Sequence, residues 1–228
     1  MNTAPVCSRF TGKIPTGIAC FLVLLFSVAS CVPKDAAQQA AGPTDPNRKH
    51  LAYGVSLNLP SSWTVAGELA PDAASKAALD QRRRGGERIM IFGATAPPST
   101  RGIESVAALF LLNEQRNFMP RDFAEKLPPA EFDRISAELF EQEKAAVKKS
   151  KSKLTLMELK LSPERVDGKF ALLHRVLIAD AKGVPLRSLR WDIYLPDGAG
   201  IAVRAECDPD NAAAEQDIRN IVNSLKIQ

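Results

Sequence analysis

The chain has 228 residues, and its shares of hydrophobic (45%) and charged (25%) residues are ordinary for a globular protein. Sixteen prolines and thirteen glycines are too few, and too scattered, for a fibrous or disordered chain. The length favours one domain, with room for an appended tail. A net charge of only +4 predicts no general role in binding nucleic acids.

The first thirty residues have the layout of a secretory signal. Arg9 and Lys13 form a basic start, and an apolar run at 18–28, with Ser27 as its polar residue, follows it. A run of about a dozen apolar residues is too short to cross a hydrocarbon layer as a stable helix. We therefore expect residues 1–30 to be removed rather than to anchor the chain.

The end of this segment reads Val28-Ala29-Ser30-Cys31. It resembles the lipobox of bacterial lipoproteins, in which an aliphatic and two small residues precede the cysteine that a diacylglyceryl transferase modifies. The resemblance implies cleavage between Ser30 and Cys31, with lipid attached to Cys31. An ordinary secretory signal, in which Cys31 is incidental, is the alternative.

The residue after the cysteine bears on the choice of membrane. In enteric bacteria an Asp at this position retains a lipoprotein on the inner membrane, and this chain has Val32 instead. The resemblance thus implies a lipid-anchored protein of the bacterial envelope, on the outer membrane and facing the periplasm. Several acyl chains on one cysteine would give firm anchoring.

A tether is expected between the lipid and the folded part. Residues 32–49 are small, polar or proline and show no apolar periodicity, which is the composition of a linker. Such a stretch spans about 20–25 Å on average. We assign 31–50 to the lipidated cysteine and a flexible tether, and 51–228 to the domain.

Only one cysteine remains in that domain. Cys7 and Cys20 would leave with the signal and Cys31 would carry lipid, so Cys207 has no partner for an internal disulfide. Stability must therefore come from packing, which a chain of this length can supply.

The first half of the domain gives strands and weaker helical signals. Val55, Leu57 and Leu59 alternate as one face of a strand that Pro60 ends, and Trp63 begins the next extended piece. A short helix ends at the glycine pair 85–86, and 87–95 reads as an interior strand with two apolar faces. We expect a short buried helix at 103–113.

The second half is clearer. Apolar residues recur at helical spacing over 129–149, and its last turns carry lysines that suit the helix dipole. Strands follow at 154–161, 170–179, 186–195 and 199–206, with the Asp167-Gly168 pair as a hairpin turn. Short connections imply antiparallel pairing. A last helix at 209–225 has Asp208 as its expected N-cap.

This order predicts an α+β fold, with an antiparallel sheet of about six strands flanked by helices. The segment from Gly54 to Trp63 resembles the opening strand, proline and tryptophan of the PsbP-like family, and 221–227 resembles its closing helix. The resemblance implies an α/β/α sandwich. It supplies no catalytic residue, and many bacterial members of the family are envelope lipoproteins.

Candidate sites for chemistry are weak. His174 lies in the predicted sheet and could join a hydrolytic triad, but no Gly-x-Ser-x-Gly elbow occurs. Two histidines and one isolated cysteine predict no zinc site. The acids Glu206, Asp208 and Asp210 lack calcium-loop spacing, so capping by Asp208 is the preferred explanation.

The remaining candidates are surface charge and tryptophan. Two basic runs could bind anionic envelope material. The alternative is that these basic residues are simply exposed to solvent and bind nothing. We expect Trp63 and Trp191 to fill the core rather than to bind a ligand. The residues of the candidate anionic-partner patch are Arg82, Arg83, Arg84, Lys148, Lys149, Lys151 and Lys153.

The resulting hypothesis is a non-catalytic envelope lipoprotein that acts as an accessory or assembly protein through contact with another protein. It needs no cofactor or metal, and its expected partners are the membrane, through lipid on Cys31, and an envelope protein. The alternative is a periplasmic module that binds a ligand in a groove between sheet and helices.

Overall fold

The computed structural model describes residues 47–69, 73–113, 119–150, 153–195 and 199–228. The strands are β1 Arg48–His50, β2 Val55–Asn58, β3 Thr64–Glu68, β4 Ile89–Ala96, β5 Ser105–Asn113, β6 Thr155–Val166, β7 Lys169–Ala179, β8 Pro185–Tyr194, β9 Ala199–Cys207 and β10 Lys226–Ile227. The helices are α1 Ala73–Arg84, α2 Arg121–Ala124, α3 Pro129–Lys149 and α4 Ala212–Asn223.

Seven of the strands form one antiparallel sheet in the order β3-β4-β5-β9-β8-β7-β6. The α+β prediction is confirmed, and the main sheet has one strand more than expected. The four strands β6 to β9 run as consecutive antiparallel neighbours, because the short connections between them leave no room for a crossover.

A second, three-stranded sheet has the order β1-β2-β10 and joins the two ends of the domain. β1 pairs with β2 through Arg48 opposite Asn58 and His50 opposite Ser56. β1 lies within the predicted tether 31–50, so the folded part starts earlier than residue 51. Three residues with mixed polarity give no strand pattern of their own.

One face of the main sheet, here called the first face, has an apolar centre, and its arginines Arg175 and Arg187 pair with Glu215 of α4. Leu109, Val203, Trp191 and Leu173 stand in one row across β5, β9, β8 and β7. Helices α1 and α4 and the small sheet cover this row, and together they form one buried cluster. The covering side chains include Leu79, Ile218, Ile221, Val222, Val55 and Leu57.

The opposite face, the second face, carries a separate core under α2 and α3. Tyr194 contacts Phe170 with ring centroids 5.6 Å apart, and its hydroxyl donates to the Met119 carbonyl at 2.7 Å. Side chains thus pack on both faces of the sheet. Further buried members are Leu112, Ala124, Phe132, Leu139, Val147, Leu156, Leu161, Leu172, Ile178 and Ala202.

The prediction of a helix at 103–113 is wrong, because residues 105–113 form the interior strand β5. β5 pairs with β4 on one side and β9 on the other, so both of its faces are covered. A strand buried on both faces reads as a continuous apolar run, which periodicity alone cannot distinguish from a buried helix.

The start of the last helix also differs from the prediction. The N-cap is Asn211, whose side chain accepts from the Ala214 N–H at 3.1 Å. Asp208 instead accepts from the Ser99 hydroxyl at 2.7 Å and from Arg101, in the loop between β4 and β5. Its carboxylate therefore joins two loops, which sequence spacing does not reveal.

The hairpin turn between β6 and β7 also fixes the C-terminus. Asp167 and Gly168 both have positive φ, as the predicted two-residue turn requires. The Asp167 carboxylate accepts from the Ile227 N–H at 2.9 Å and contacts Lys226 and Lys169. The Ile227 bond and the two lysines hold the pKa of Asp167 below its ordinary value.

The outer edge of β6 is partly closed. The Leu161 N–H points away from β7 and donates to the Ser136 hydroxyl of α3 at 2.9 Å, and Pro163 has no N–H to offer. The register shifts between Leu156 and Glu158, which marks a β-bulge. These are the devices by which edge strands avoid uncontrolled pairing.

Replacing Ser136 with alanine is expected to lower the free energy of unfolding by about 1–3 kcal/mol, because the buried Leu161 N–H loses its acceptor. Urea unfolding measures the loss. Ser162→Ala on the same strand is the control and should change stability by less than about 0.5 kcal/mol. Equal effects of the two substitutions would contradict the role given to Ser136.

Replacing Asp167 with asparagine keeps a residue that tolerates positive φ but removes the charge. We expect a loss of about 1 kcal/mol at neutral pH. The lowered pKa stabilises the fold above the ordinary Asp value near 4, so this contribution disappears as pH falls through the folded pKa. Thermal unfolding across pH should show the two proteins converging in acid; a constant gap would contradict the assignment.

Candidate functional site

The predicted cleavage and lipidation residues, Ser30 and Cys31, lie outside the described residues. So does Lys151 of the candidate anionic-partner patch. Within the described part of the chain, no helix is long and apolar enough to cross a membrane.

The arginines 82 to 84 at the end of α1 are partly engaged inside the domain. Arg83 is buried, forms an ion pair with Asp80 at 3.1 Å and lies over the Tyr53 ring at 5.7 Å. Arg82 is exposed and paired with Glu87. Arg84 is exposed as well. A side chain buried like Arg83 stabilises the helix end and is not a surface contact.

The predicted lysines lie elsewhere. Lys148 and Lys149 are exposed in the last turn of α3, and Lys153 is exposed before β6. α1 packs on the first face of the sheet and α3 on the second. The two basic runs therefore do not form one continuous patch, and any anionic partner would meet them separately.

A buried ionic cluster occupies the second face of the sheet. His174 on β7 faces Arg190 on β8, and Arg190 faces Arg204 on β9. Asp192, fully buried, accepts from the Arg190 Nε at 2.6 Å and lies 3.2 Å from the His174 Nε2. Three ionisable positions in register are thus held around one carboxylate.

The protonation states follow from this burial. Burial lowers the pKa of His174 and outweighs the attraction of Asp192, so the imidazole is neutral near pH 7. Burial alone would raise the pKa of Asp192, but the charge of Arg190 and the bond to His174 hold it below its ordinary value. Asp192 is therefore an anion neutralised inside the protein.

The cluster extends toward the β9 side. The Arg204 guanidinium lies 5.5 Å from the Phe110 ring centroid, a cation–π distance. Burial, with repulsion from Arg190 and Arg88, lowers the pKa of Arg204 to about 10. Burial raises the pKa of Glu206. The cations and acids here compensate each other, as buried charges must.

His174 is one of the predicted candidates, but its contact with Asp192 was not predicted. The two residues are on different strands, and only the β7–β8 register brings them together. The alternation along β8 is a signal that could have indicated a charged cluster, since it places Arg190 and Asp192 together on the side opposite Leu189 and Trp191. A histidine and a carboxylate in contact are two parts of a hydrolytic triad, but here both serve a buried charge network.

The other predicted candidates are structural. Cys207 is fully buried, and burial raises the pKa of its thiol to about 11, which makes it unreactive. Trp191 and Trp63 are buried in the core as predicted. Their indole N–H groups donate to Glu164 at 2.7 Å and Asp217 at 3.2 Å.

The acids at the start of α4 belong to a loop contact. Asp208 and Asp210 both contact Arg101, so their charge is compensated within the domain. Among the residues that the structure describes, no group of three or more His, Cys, Asp or Glu side chains could hold a metal ion.

An open groove of about 450 Å³ lies between α3 and β6, beside the closed stretch of the sheet edge. It combines apolar and mainly acidic side chains. The apolar lining includes Phe140, Met157 and Leu159, and the charged lining includes Asp133, Glu141, Glu158 and Lys160. Met157 is 51% exposed, which is unusual for a large apolar side chain.

No family model and no curated protein matches the chain. Solved structures do resemble it. LpqN of Mycobacterium tuberculosis, a protein involved in cell envelope biogenesis, is 13% identical with a TM-score of 0.43, over 82% of this chain and 87% of LpqN. The cyanobacterial PsbP of Synechocystis is 10% identical with a TM-score of 0.47, over 84% and 98% of the two chains. Such values establish neither a family nor a function.

The neutral state of His174 makes stability depend on pH. In the unfolded chain the imidazole binds a proton below its ordinary value near 6.5, whereas the folded protein resists protonation until lower pH. The contribution of His174 to stability is therefore fully present above about pH 6.5 and is lost as the solution becomes more acidic. We expect His174→Gln to flatten the stability curve between pH 7 and 5.

Urea unfolding at a series of pH values measures this slope. His50→Gln, in the exposed part of β1, is the matched control because it removes the other histidine of the domain. A slope that is unchanged in His174→Gln but altered in His50→Gln would contradict the assignment to His174.

Proposed function

We propose that the chain is the precursor of a bacterial lipoprotein, cut between Ser30 and Cys31 and acylated on Cys31. The observation that supports this is the lipobox-like Val28-Ala29-Ser30-Cys31 at the end of a signal-type segment. The first strand of the domain starts at Arg48. This leaves the linker-like composition of 32–47 between lipid and domain.

The proposed location is the envelope, on the outer membrane and facing the periplasm. Val32 supports it, since the inner-membrane retention signal of enteric bacteria places Asp there. Cys207 is compatible with an oxidising compartment, because this free thiol is buried and so is protected from mispairing.

We further propose that the domain is PsbP-like and acts by binding a protein, without catalysis. The charged groups of the ionic cluster compensate each other, which suits a structural role better than a reactive one. The groove between α3 and β6 has exposed apolar and charged side chains, a mixture that occurs at protein contacts.

A second candidate is a module that binds a small ligand in the same groove. Its volume lies within the range of about 300–1,000 Å³ that ligand sites occupy. The groove is open along the sheet edge and four of its lining residues are charged, whereas small-molecule sites are mostly apolar and enclosing. Protein contact is therefore the first choice.

Replacing Cys31 with alanine tests the anchor. We expect the wild-type chain to give an N-terminal peptide that begins at an acylated Cys31. The variant should stay as an uncut, unacylated precursor, because the transferase needs the thiol. Mass spectrometry and membrane fractionation measure both. Cys20→Ala, within the signal, is the matched control and should mature normally.

The anchor proposal fails if Cys31→Ala is still cut at the same bond and still sediments with membranes after a salt wash. The binding proposal has its own test, which is crosslinking in intact envelopes followed by purification. Recovery of one specific protein partner supports it. Recovery of none under conditions that capture known neighbours would contradict it.

A further inference from the structure

Among the described residues, no strand pairs with the outer edge of β6, where the groove lies. The Leu161 N–H points outward to Ser136, and in an antiparallel pair alternate residues face the same edge. The register is continuous from Leu161 opposite His174 to Leu159 opposite Val176. The N–H and C=O of Leu159 therefore also point outward, into the groove that Leu159 lines.

The rest of that edge is closed to pairing. Ser136 occupies the Leu161 N–H, and Pro163 has none. Strand addition is therefore confined to the short stretch from Glu158 to Lys160, between the β-bulge and Leu161. α3 forms the opposite wall of the groove. An edge strand facing a helix across a groove is the arrangement by which several domains bind extended peptides.

The charges of the groove indicate what kind of peptide fits. Asp133, Glu141 and Glu158 are acidic and exposed, and Lys160 is the one basic residue among the described residues of the lining. Phe140 and Met157 supply apolar surface between them. A strand with basic residues on one side and apolar residues on the other matches this pattern, because its side chains alternate along the backbone.

We propose that the groove between α3 and β6 binds an extended segment of a partner protein, with alternating basic and apolar side chains, which adds as a further strand to the main sheet beside Leu159. The inference deepens the proposed function, on which it rests, by naming the surface and the chemistry of the partner. Main-chain hydrogen bonds to the strand edge at Leu159 would supply affinity, and the acidic lining would supply specificity.

The test uses the full-length chain in a nonionic detergent and a fluorescent peptide probe, acetyl-Lys-Val-Lys-Val-Lys-Val-amide. Anisotropy should show saturable binding. The glutamate analogue of the probe should bind at least about tenfold more weakly, because it meets like charges. A probe methylated on every residue's backbone nitrogen keeps its side chains but has no strand N–H to donate along either edge, so it should also lose binding.

A pair of protein variants distinguishes binding in the groove from nonspecific attraction between the basic probe and acidic residues elsewhere on the surface. Glu158→Lys reverses a groove residue, and Glu104→Lys makes the same change at an exposed residue before β5. We expect only Glu158→Lys to weaken probe binding, by about fivefold to tenfold for one reversed charge. Hydrogen exchange should slow at the Leu159 amide on binding and stay unchanged at Leu161, which already donates to Ser136.

Three results would overturn the inference. They are equal binding of the methylated probe, equal effects of the two charge reversals, and self-association of the chain that the probe competes with, which would make a second copy the occupant. If crosslinking recovers a partner equally well with Glu158→Lys, the groove is not the binding site, but the proposed function stands. If no partner is recovered with any form, the proposed function itself fails.

Discussion

Side chains alternate between the two sides of a strand, and in this domain both sides of the central strands must be buried. β5, β9, β8 and β7 each place one set of residues in the core under α1 and α4, and the other set on the second face. Trp191 and Asp192 are neighbours in sequence but belong to opposite faces, and both are almost fully buried. With Cys207 as the sole cysteine of 47–228, this double packing supplies the stability.

The two faces are covered unequally, and this explains where the charges lie. Two helices and the small sheet cover the first face, so its centre is apolar, and its charged pairs, Arg175 and Arg187 with Glu215, are partly exposed. α3 packs against β6 at the edge of the second face, and the described residues place no other long helix over β8 and β9. Arg190, Asp192 and Arg204 occur there. Because Arg190 and Asp192 are buried and Arg204 is half-buried, their charges must compensate each other, and the strand register provides the contacts.

Sequence patterns predicted the elements whose periodicity is strong. The helix Pro129–Lys149 and the run of strands from β6 to β9 follow from apolar spacing and from the Asp167-Gly168 turn. β5 was missed because burial on both faces removes the alternation that marks a strand. β1 and β10 were missed because each has at most three residues and depends on pairing with the distant β2.

Contacts between strands set a further limit to prediction. His174 and Asp192 are easily noticed as residue types, but only the register of β7 against β8 makes them neighbours. The same holds for Leu161 and Ser136, which are 25 positions apart. Their contact decides which part of the β6 edge is closed. The groove could not be predicted, because it depends on where a helix crosses a strand.

The anchor and the groove make a consistent pair under the proposed function. An open groove with a short free edge gives few main-chain bonds, and small contact areas are typical of weak, transient complexes. Confining the domain and its partner to one membrane surface raises their effective concentration, which compensates for weak binding without any new contact. A lipid on Cys31 and a short tether would do this, while Ser136 and Pro163 keep the remaining edge from pairing with chains at random.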